Sequence, residues 1–400
     1  MRILLILRGN YYCGQKEWIR QNSLKDYVLD FDDFRFLAHK YKNTANIYKT
    51  LEYKNDSYLK NIFLEFLDFR MQNGEFCIVN APNSNNNILK DYKNLAGKNN
   101  YKIYIINFTD YNLDRIKAIN LYRAKKYGVF IPNEILDKID KQLLTNKIQK
   151  KYEILDKDNW QEILYKPQDL SFYKKIHHIG DIQGCYSVLK KYIKNIKDDE
   201  FYIFLGDYID RGIENAKVLK YLLKIRNLKN VCLLEGNHER HLIKWANDED
   251  ISYKEFSQNT LKEFKKEGIT IEDAKKFYLS LKECFFYIYN DKKVFCSHGG
   301  INFFPKDFKH LSFIPSNSFI YGVGTYKDSK IIAEQFCENS PNDTYQIFGH
   351  RNRFDLPIQV AKRAFLCEGK VDSGGYLRVV CLDKNGFECI QIKNNIYKKD

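Results

Sequence analysis

Five short segments hold the residues with the most chemical content: GDIQG at 180–184, GDYIDRG at 206–212, GNHE at 236–239, SHGG at 297–300 and a GH at 349–350. The apolar runs IHHIG, FYIFLG, VCLLEG and VFCSHGG each end in glycine plus polar or ionisable residues, and QIFGH repeats the pattern. Asp181 thus ends the first run, Asp207 and Asp210 surround the end of the second, Asn237 and His238 end the third, His298 ends the fourth, and His350 follows the last. Carboxylate and amide oxygens together with imidazoles are the donors that a pair of divalent cations takes, with one carboxylate bridging ions about 3.5–4 Å apart. The chemistry such a set performs is metal-assisted hydrolysis. Recurrence of ligand types after several separate apolar runs is far harder to obtain by accident than any single motif.

The elements that must position these residues are strands of an open α/β layer, whose ends aim side chains from a rigid edge into the crevice above them. Cys185–Ile196 and Ala216–Ile225 fit the intervening helices, Asp248–Glu283 a helical insertion, and the tail a hairpin with Asn385-Gly386 at its turn. An earlier alternation, with strands at Ile3–Leu7, Tyr27–Leu29, FCIVN and YKIYIIN and a helix over Ser57–Gln72, predicts a second, parallel α/β layer. With 400 residues, two hydrophobic cores are expected. The boundaries predicted are a domain over 1–150, a polar linker over 151–171 that carries an isolated Trp160 and Pro167, and a domain over 172–395.

In their order, GD-x-x-G, GD-x-x-DRG, GNHE, HGG and GH resemble the calcineurin-like metallophosphoesterase superfamily, in the branch that holds phosphoprotein phosphatases, diadenosine tetraphosphatases and the phosphatase modules of RNA-repair enzymes. The resemblance spans residues 174–390 and implies an α/β sandwich. It implies a first metal held either by Asp181 and Asp210 or, in the preferred assignment, by Asp181, Gln183 and a bridging Asp207. The second metal is then held by Asp207, Asn237, His298 and His350. By the same resemblance His238 is the general acid, oriented by Asp210, while Arg211 clamps phosphoryl oxygens and Arg351 is a weaker candidate for that work. Being one residue past a ligand, His238 is placed to donate a proton rather than to reach the same cation. The family usually carries histidine where this chain has Gln183, a neutral and poorer ligand, so Mn²⁺ is the expected metal, with Mg²⁺, Fe or Zn²⁺ as alternatives. His177 and His178 read as packing or surface groups.

In the N-terminal half the first strand leads into RGNYYCGQKEW, and VLDFDDFR, IVNAPNSNNN and LYRAKKYGVFIPNEIL follow; together these segments resemble a polynucleotide kinase domain. Gly9 and Gly14 have the spacing of a phosphate-binding loop, but the expected lysine is Gln15, and Lys16 stands one residue out of register where a hydroxyl belongs. The resemblance implies that Asp32 matches an activating base, Arg35 an acceptor-binding residue, and Arg123 and Lys126 the basic lid, with Asn80 where an acidic residue is usual. These losses predict an inactive, P-loop-kinase-like parallel-sheet domain that does not bind ATP but holds a nucleic-acid end by charge and stacking.

The formal net charge of +14 favours a polyanionic partner such as RNA or DNA ends. Ten cysteines without C-x-x-C spacing point to buried thiols in a reducing compartment, and no run approaches a membrane span, so a soluble cytoplasmic protein is expected. The leading expectation is a phosphatase acting on nucleic-acid ends. Its rivals are a protein Ser/Thr phosphatase or a dinucleoside-tetraphosphatase-like hydrolase, and a nonenzymatic nucleic-acid-binding scaffold.

Overall fold

Strand β1 (Ile3–Gly9) is buried along its whole length and has parallel neighbours on both sides. In the computed structural model, which describes residues 1–43, 48–53 and 56–396, it is followed by α1 (Gln15–Gln21), β2 (Val28–Asp30), α2 (Phe31–His39), α3 (Asp56–Gln72), β3 (Cys77–Asn80), α4 (Asn86–Lys98), β4 (Lys102–Phe108), α5 (Leu113–Tyr127), α6 (Asn133–Thr145) and β5 (Glu153–Leu155). The sheet runs in the order β2-β3-β1-β4-β5, all parallel. Side chains of Asp30, Asn85 and Asn112 accept first-turn N–H groups and start α2, α4 and α5. Alternation along β1 sends Leu4 and Ile6 into one core with Phe63 and Val79, and Leu5 and Leu7 into another with Trp18 and Ile106.

The expected linker over 151–171 is corrected by the fold. Strand β5 extends the first sheet, and Trp160 is 3% exposed, meets Trp18 edge-on at 5.4 Å and donates its indole N–H to Asn22. The first unit therefore comprises Met1–Leu164, together with Ser312–Pro315. In that inserted piece Phe313 stacks on Tyr27 with ring centres 4.9 Å apart and also meets Phe76.

The second unit, Tyr165–Leu311 with Ser316–Asp400, is built on two sheets. Its elements are β6 (Gln168–Asp169), β7 (Lys175–Ile179), α7 (Tyr186–Tyr192), β8 (Glu200–Phe204), α8 (Asn215–Ile225), β9 (Val231–Leu233), α9 (Arg240–Ala246), α10 (Leu261–Lys266), α11 (Ile271–Tyr278), β10 (Phe285–Tyr289), β11 (Lys292–Cys296), α12 (Ser316–Ile320), α13 (Ser329–Asn339), β12 (Thr344–Phe348), β13 (Gln359–Ala361), β14 (Ala364–Leu366), β15 (Tyr376–Asp383) and β16 (Gly386–Lys393). One sheet runs β9-β8-β7-β15-β16 and the other β13-β14-β12-β11-β10-β6. Ile176, Ile203, Leu205, Phe285, Val294, Ile347 and Val380 fill the layer between them, while α7, α8 and α11 cover the outer face of the first sheet. The final hairpin turns on Lys384 and Asn385, one residue earlier than expected, because Gly386 at φ 113° already pairs with Asp383. Among the described residues no helix is long and apolar enough to cross a membrane.

His177 and His178 both pack, as expected. His178 donates from Nδ1 to the Val380 carbonyl at 2.7 Å, so its Nε2 accepts from the Tyr287 hydroxyl at 2.8 Å. Burial pushes this imidazole down to about 3 from its ordinary 6.5. Between those values the unfolded chain carries a proton that the folded chain refuses, so this group withdraws stability as pH falls through that window. Relative to a His178→Asn variant, the wild type is expected to lose about 2 kcal/mol more stability between pH 7 and about pH 5, at ~1.4 kcal/mol per pH unit. Urea unfolding at the two pH values measures the difference.

Candidate metal centre

Five strand ends deliver the site. Asp181 follows β7, Asp207 follows β8, Asn237 and His238 follow β9, His298 follows β11 and His350 follows β12. Asp207, His298 and His350, all buried, each offer a ligand atom within 4.8 Å of the others'. Oδ1 of Asp207 lies 3.1 Å from Nε2 of His298, and Oδ1 of Asn237 lies 3.3 Å from the same nitrogen. His298 donates from Nδ1 to the Leu205 carbonyl at 2.9 Å, which orients the ring and turns Nε2 to the site. Both oxygens of Asp181 accept from the backbone N–H of His350 at 3.2 Å.

The loops hold these groups at a conformational cost. Gln183, Asp207, Asp210, Arg211 and His350 all lie in the left-handed region, with φ of 46°, 50°, 73°, 66° and 64°. Such residues persist only where the surroundings over-determine them, and they gather at functional sites. Two motif glycines permit close approach: a Cβ on Gly236 would come within 2.3 Å of Asp207, and one on Gly349 within 2.1 Å of Asp181. Glu239 fixes the second loop by accepting from the backbone N–H groups of Asp207, Tyr208 and Gly236 at 2.8–3.0 Å.

Electrostatics separate the imidazoles. Burial pushes the Asp207 carboxyl up, but His298 and His238 outweigh it and hold the group well below the carboxylate range. Burial, then neighbouring His298, pushes His350 down to about 3, leaving it neutral with a lone pair to give. Burial also opposes charge on His238, yet Asp207 and a hydrogen bond to Asp210 overcome it and raise the group to about 9. Nδ1 of His238 lies 2.7 Å from Oδ2 of Asp210, whose other oxygen accepts from the Thr260 hydroxyl. Nε2 of His238 is buried, has no hydrogen-bond partner and stands 3.8 Å from Oδ2 of Asp207. The carboxylate of Asp207 with the imidazoles of His298 and His350 forms a donor set that suits a divalent metal ion, and the buried His238 nitrogen near Asp207 is a polar atom without a hydrogen-bond partner.

Arg211 and Arg351 part company. The Arg211 guanidinium hydrogen-bonds Tyr253 and stands 3.0 Å from the amide oxygen of Gln183, when that amide is oriented to donate to Asp372 at 2.5 Å. Arg351, expected as a phosphate contact, is 0% exposed and donates to the carbonyls of Gly299, Gly300, Val323 and Thr325 at 2.7–3.3 Å. Its side chain binds loops together through those carbonyls, which corrects the phosphate role. Sequence reasoning also missed Glu368, Asp372, Thr260 and Tyr253. Glu368 had a findable signal, since it follows the apolar strand β14 and adjoins a glycine, as the other strand-end groups do.

In the first unit a cleft of about 760 Å³ lies above the sheet, lined by Gly9, Gly14, Gln15, Lys16, Asp32 and Arg123 among others. The Gln15 amide donates to the Asn10 carbonyl at 3.0 Å, so it closes the loop on itself. Although out of register, Lys16 reaches the cleft and pairs with Asp30 at 2.9 Å. Arg35, expected to contact an acceptor, is instead buried with Asp32 and Asp56 at 2.6 Å each, so its donors are occupied by the protein's own carboxylates. Arg123 stacks on Tyr12 and lines the cleft, whereas Lys126 lies over Tyr122 and Tyr127 and is not among the lining residues.

The model of the calcineurin-like phosphoesterase family matches residues 174–374. The chain belongs to that family. As a calcineurin-like phosphoesterase it has the fold of a metal-dependent hydrolase, and Asp207, His298 and His350 form its candidate metal-binding triad. It is 30% identical over 132 residues to the symmetrical bis(5'-nucleosyl)-tetraphosphatase of Buchnera aphidicola subsp. Schizaphis graminum, covering 32% of this chain and 45% of that protein. It is 35% identical over 125 residues to the serine/threonine-protein phosphatase PP2A-like PPG1 of Candida albicans, covering 28% and 29%. The phosphoesterase thus spans less than half the length of these curated relatives. Among solved structures it is similar to a protein serine/threonine phosphatase from Saccharomyces cerevisiae, with a TM-score of 0.41, 18% identity and coverage of 57% of this chain and 82% of that one.

Proposed function

We propose that the chain hydrolyses phosphate esters or anhydrides at a centre of two divalent cations, with Asp181, Gln183 and Asp207 on the first and Asp207, Asn237, His298 and His350 on the second. The observation that carries this reading is the placement of His238: its Nδ1 is held by Asp210, and its Nε2 is left buried and unpartnered beside Asp207. When bound, the ions supply Lewis acidity and an activated water, and the hard-oxygen donors favour Mn²⁺. His238 then donates a proton from Nε2 to the leaving oxygen, while Asp210 keeps the ring oriented and stabilises its positive charge. Arg211 neutralises phosphoryl oxygens from a position braced by Gln183 and Tyr253.

For substrate we favour a dinucleoside polyphosphate. Tyr326 and Tyr321 stand 5.1 and 6.4 Å from the His350 ring and are 43% and 41% exposed, which supports stacking of a base beside the reacting phosphate. The named activity of the Buchnera relative agrees. A nucleic-acid end is the second reading, supported by the net charge of +14 and by the first unit, whose Tyr12 and Arg123 would hold a strand without phosphotransfer. Turnover of diadenosine tetraphosphate, 3'-phosphate RNA and a phosphopeptide, compared side by side with Mn²⁺, decides. The tetraphosphate is expected to lead in kcat/KM by at least about tenfold, the ~1.4 kcal/mol of one good stacking contact. A leading RNA would install the second reading, and a leading phosphopeptide would overturn both.

A further inference from the structure

We propose that Glu368 is a ligand of the first cation and supplies the donor strength that the Gln183 amide lacks; the inference rests on the two-cation reading above. Glu368 is 1% exposed and sits just past the end of β14. The backbone N–H of Lys370 donates to its Oε1 at 2.7 Å, which fixes the side chain. Its carboxyl lies within hydrogen-bonding reach of Asp181, itself 2% exposed. Two carboxylates placed together out of water repel each other and are stable only around a shared proton or a cation. Asp207, also buried, belongs to the same cluster and connects it to the imidazoles of His298 and His350, so the carboxylates open onto a recognised donor set rather than onto solvent.

The amide of Gln183 sharpens the point. One orientation donates from Nε2 to Oε2 of Glu368 at 3.4 Å. The other donates to Asp372 at 2.5 Å and accepts from Arg211 at 3.0 Å, which satisfies both ends of the group. In that orientation the Gln183 oxygen accepts from Arg211 and also lies 3.4 Å from Oε2 of Glu368, so two oxygens stand side by side and Arg211, which also interacts with Glu368, is the protein's own cation there. A metal ion held by these oxygens adds positive charge to what Arg211 supplies. The first site becomes a set of hard oxygens from Asp181, Gln183, Asp207 and Glu368, while the second keeps its imidazoles, so the two ions differ in the metals they favour.

Mn²⁺ titration of the metal-free full chain, followed by electron paramagnetic resonance of the free ion, tests this without reference to turnover. Wild type is expected to take up two ions. Glu368→Gln is expected to take up one, with the affinity of the retained ion unchanged within about twofold. Two ions bound by Glu368→Gln at wild-type affinities would overturn the assignment of Glu368 alone, whereas no uptake by wild type would overturn the two-cation reading itself. In chelator, Glu368→Gln is expected to melt at or above the wild-type temperature, because the repulsion with Asp181 is relieved; a lower midpoint would mark a structural role and count against the proposal. If Glu368→Gln does not fold, Glu368→Asp keeps the charge but withdraws it by one methylene. First-ion affinity should then fall at least about tenfold, and an unchanged affinity would overturn the assignment.

Discussion

His298→Ala is expected to release phosphate from an aryl phosphomonoester, with Mn²⁺ present, at no more than about a thousandth of the wild-type kcat/KM. The imidazole combines two roles that alanine cannot supply. Its Nε2 stands 3.1 Å from Asp207, and its Nδ1 anchors the ring to the Leu205 carbonyl. Loss of a ligand removes several kcal/mol of charge stabilisation, and each ~1.4 kcal/mol is a factor of ten in rate. The ring also stands against Asp207, so the cluster loses together a donor and a neighbour that holds that carboxylate in place. Steady-state kinetics on chelator-stripped and Mn²⁺-resupplied protein measure the effect. Activity that survives both the substitution and chelation would remove this cluster from the reaction.

For His238→Ala the expected loss depends on the leaving group. Against an alkyl phosphate, whose leaving oxygen needs a proton, kcat should fall by about 10²–10⁴, the ordinary worth of a positioned general acid. Against an aryl phosphate with an acidic phenol the loss should be at least about tenfold smaller, because that oxygen departs without full protonation. Asp210→Asn serves as the companion: it leaves the ring in place but weakens the hydrogen bond at 2.7 Å that favours the imidazolium. An equal loss on the two substrates would show that His238 acts by holding the loop and not by proton transfer.

The metal-facing groups were legible because each follows an apolar strand at a glycine, and a strand end fixes direction as well as position. Asp207, His298 and His350 come together as a candidate metal-binding triad, and Asp181 accepts from the backbone N–H of His350. What spacing could not give was the direction of a side chain at a loop residue. Arg351 adjoins His350 in sequence, yet its guanidinium is surrounded by four carbonyls, and Arg35 is enclosed by two carboxylates. Trp160 looked isolated because Trp18, its partner, is remote in the chain. Thr260 and Tyr253 come from the insertion after β9, where a helical pattern announces elements but not which residue reaches back to Asp210 or Arg211. Glu368 was hidden because a cysteine precedes it and its glycine follows it, whereas a glycine precedes Asp181, Asp207, Asn237 and His350.

Phe313 has a practical bearing on how this polypeptide can be divided. Its ring completes an aromatic trio with Tyr27 and Phe76, although it lies well beyond the stretch that supplies the rest of that core. A truncation at residue 164 would leave the other two rings facing water, and a fragment beginning at 165 would carry a stray phenylalanine. Attempts to study either half by itself should therefore expect poor solubility from an unfilled aromatic socket or a loose plug, unless both are redesigned together.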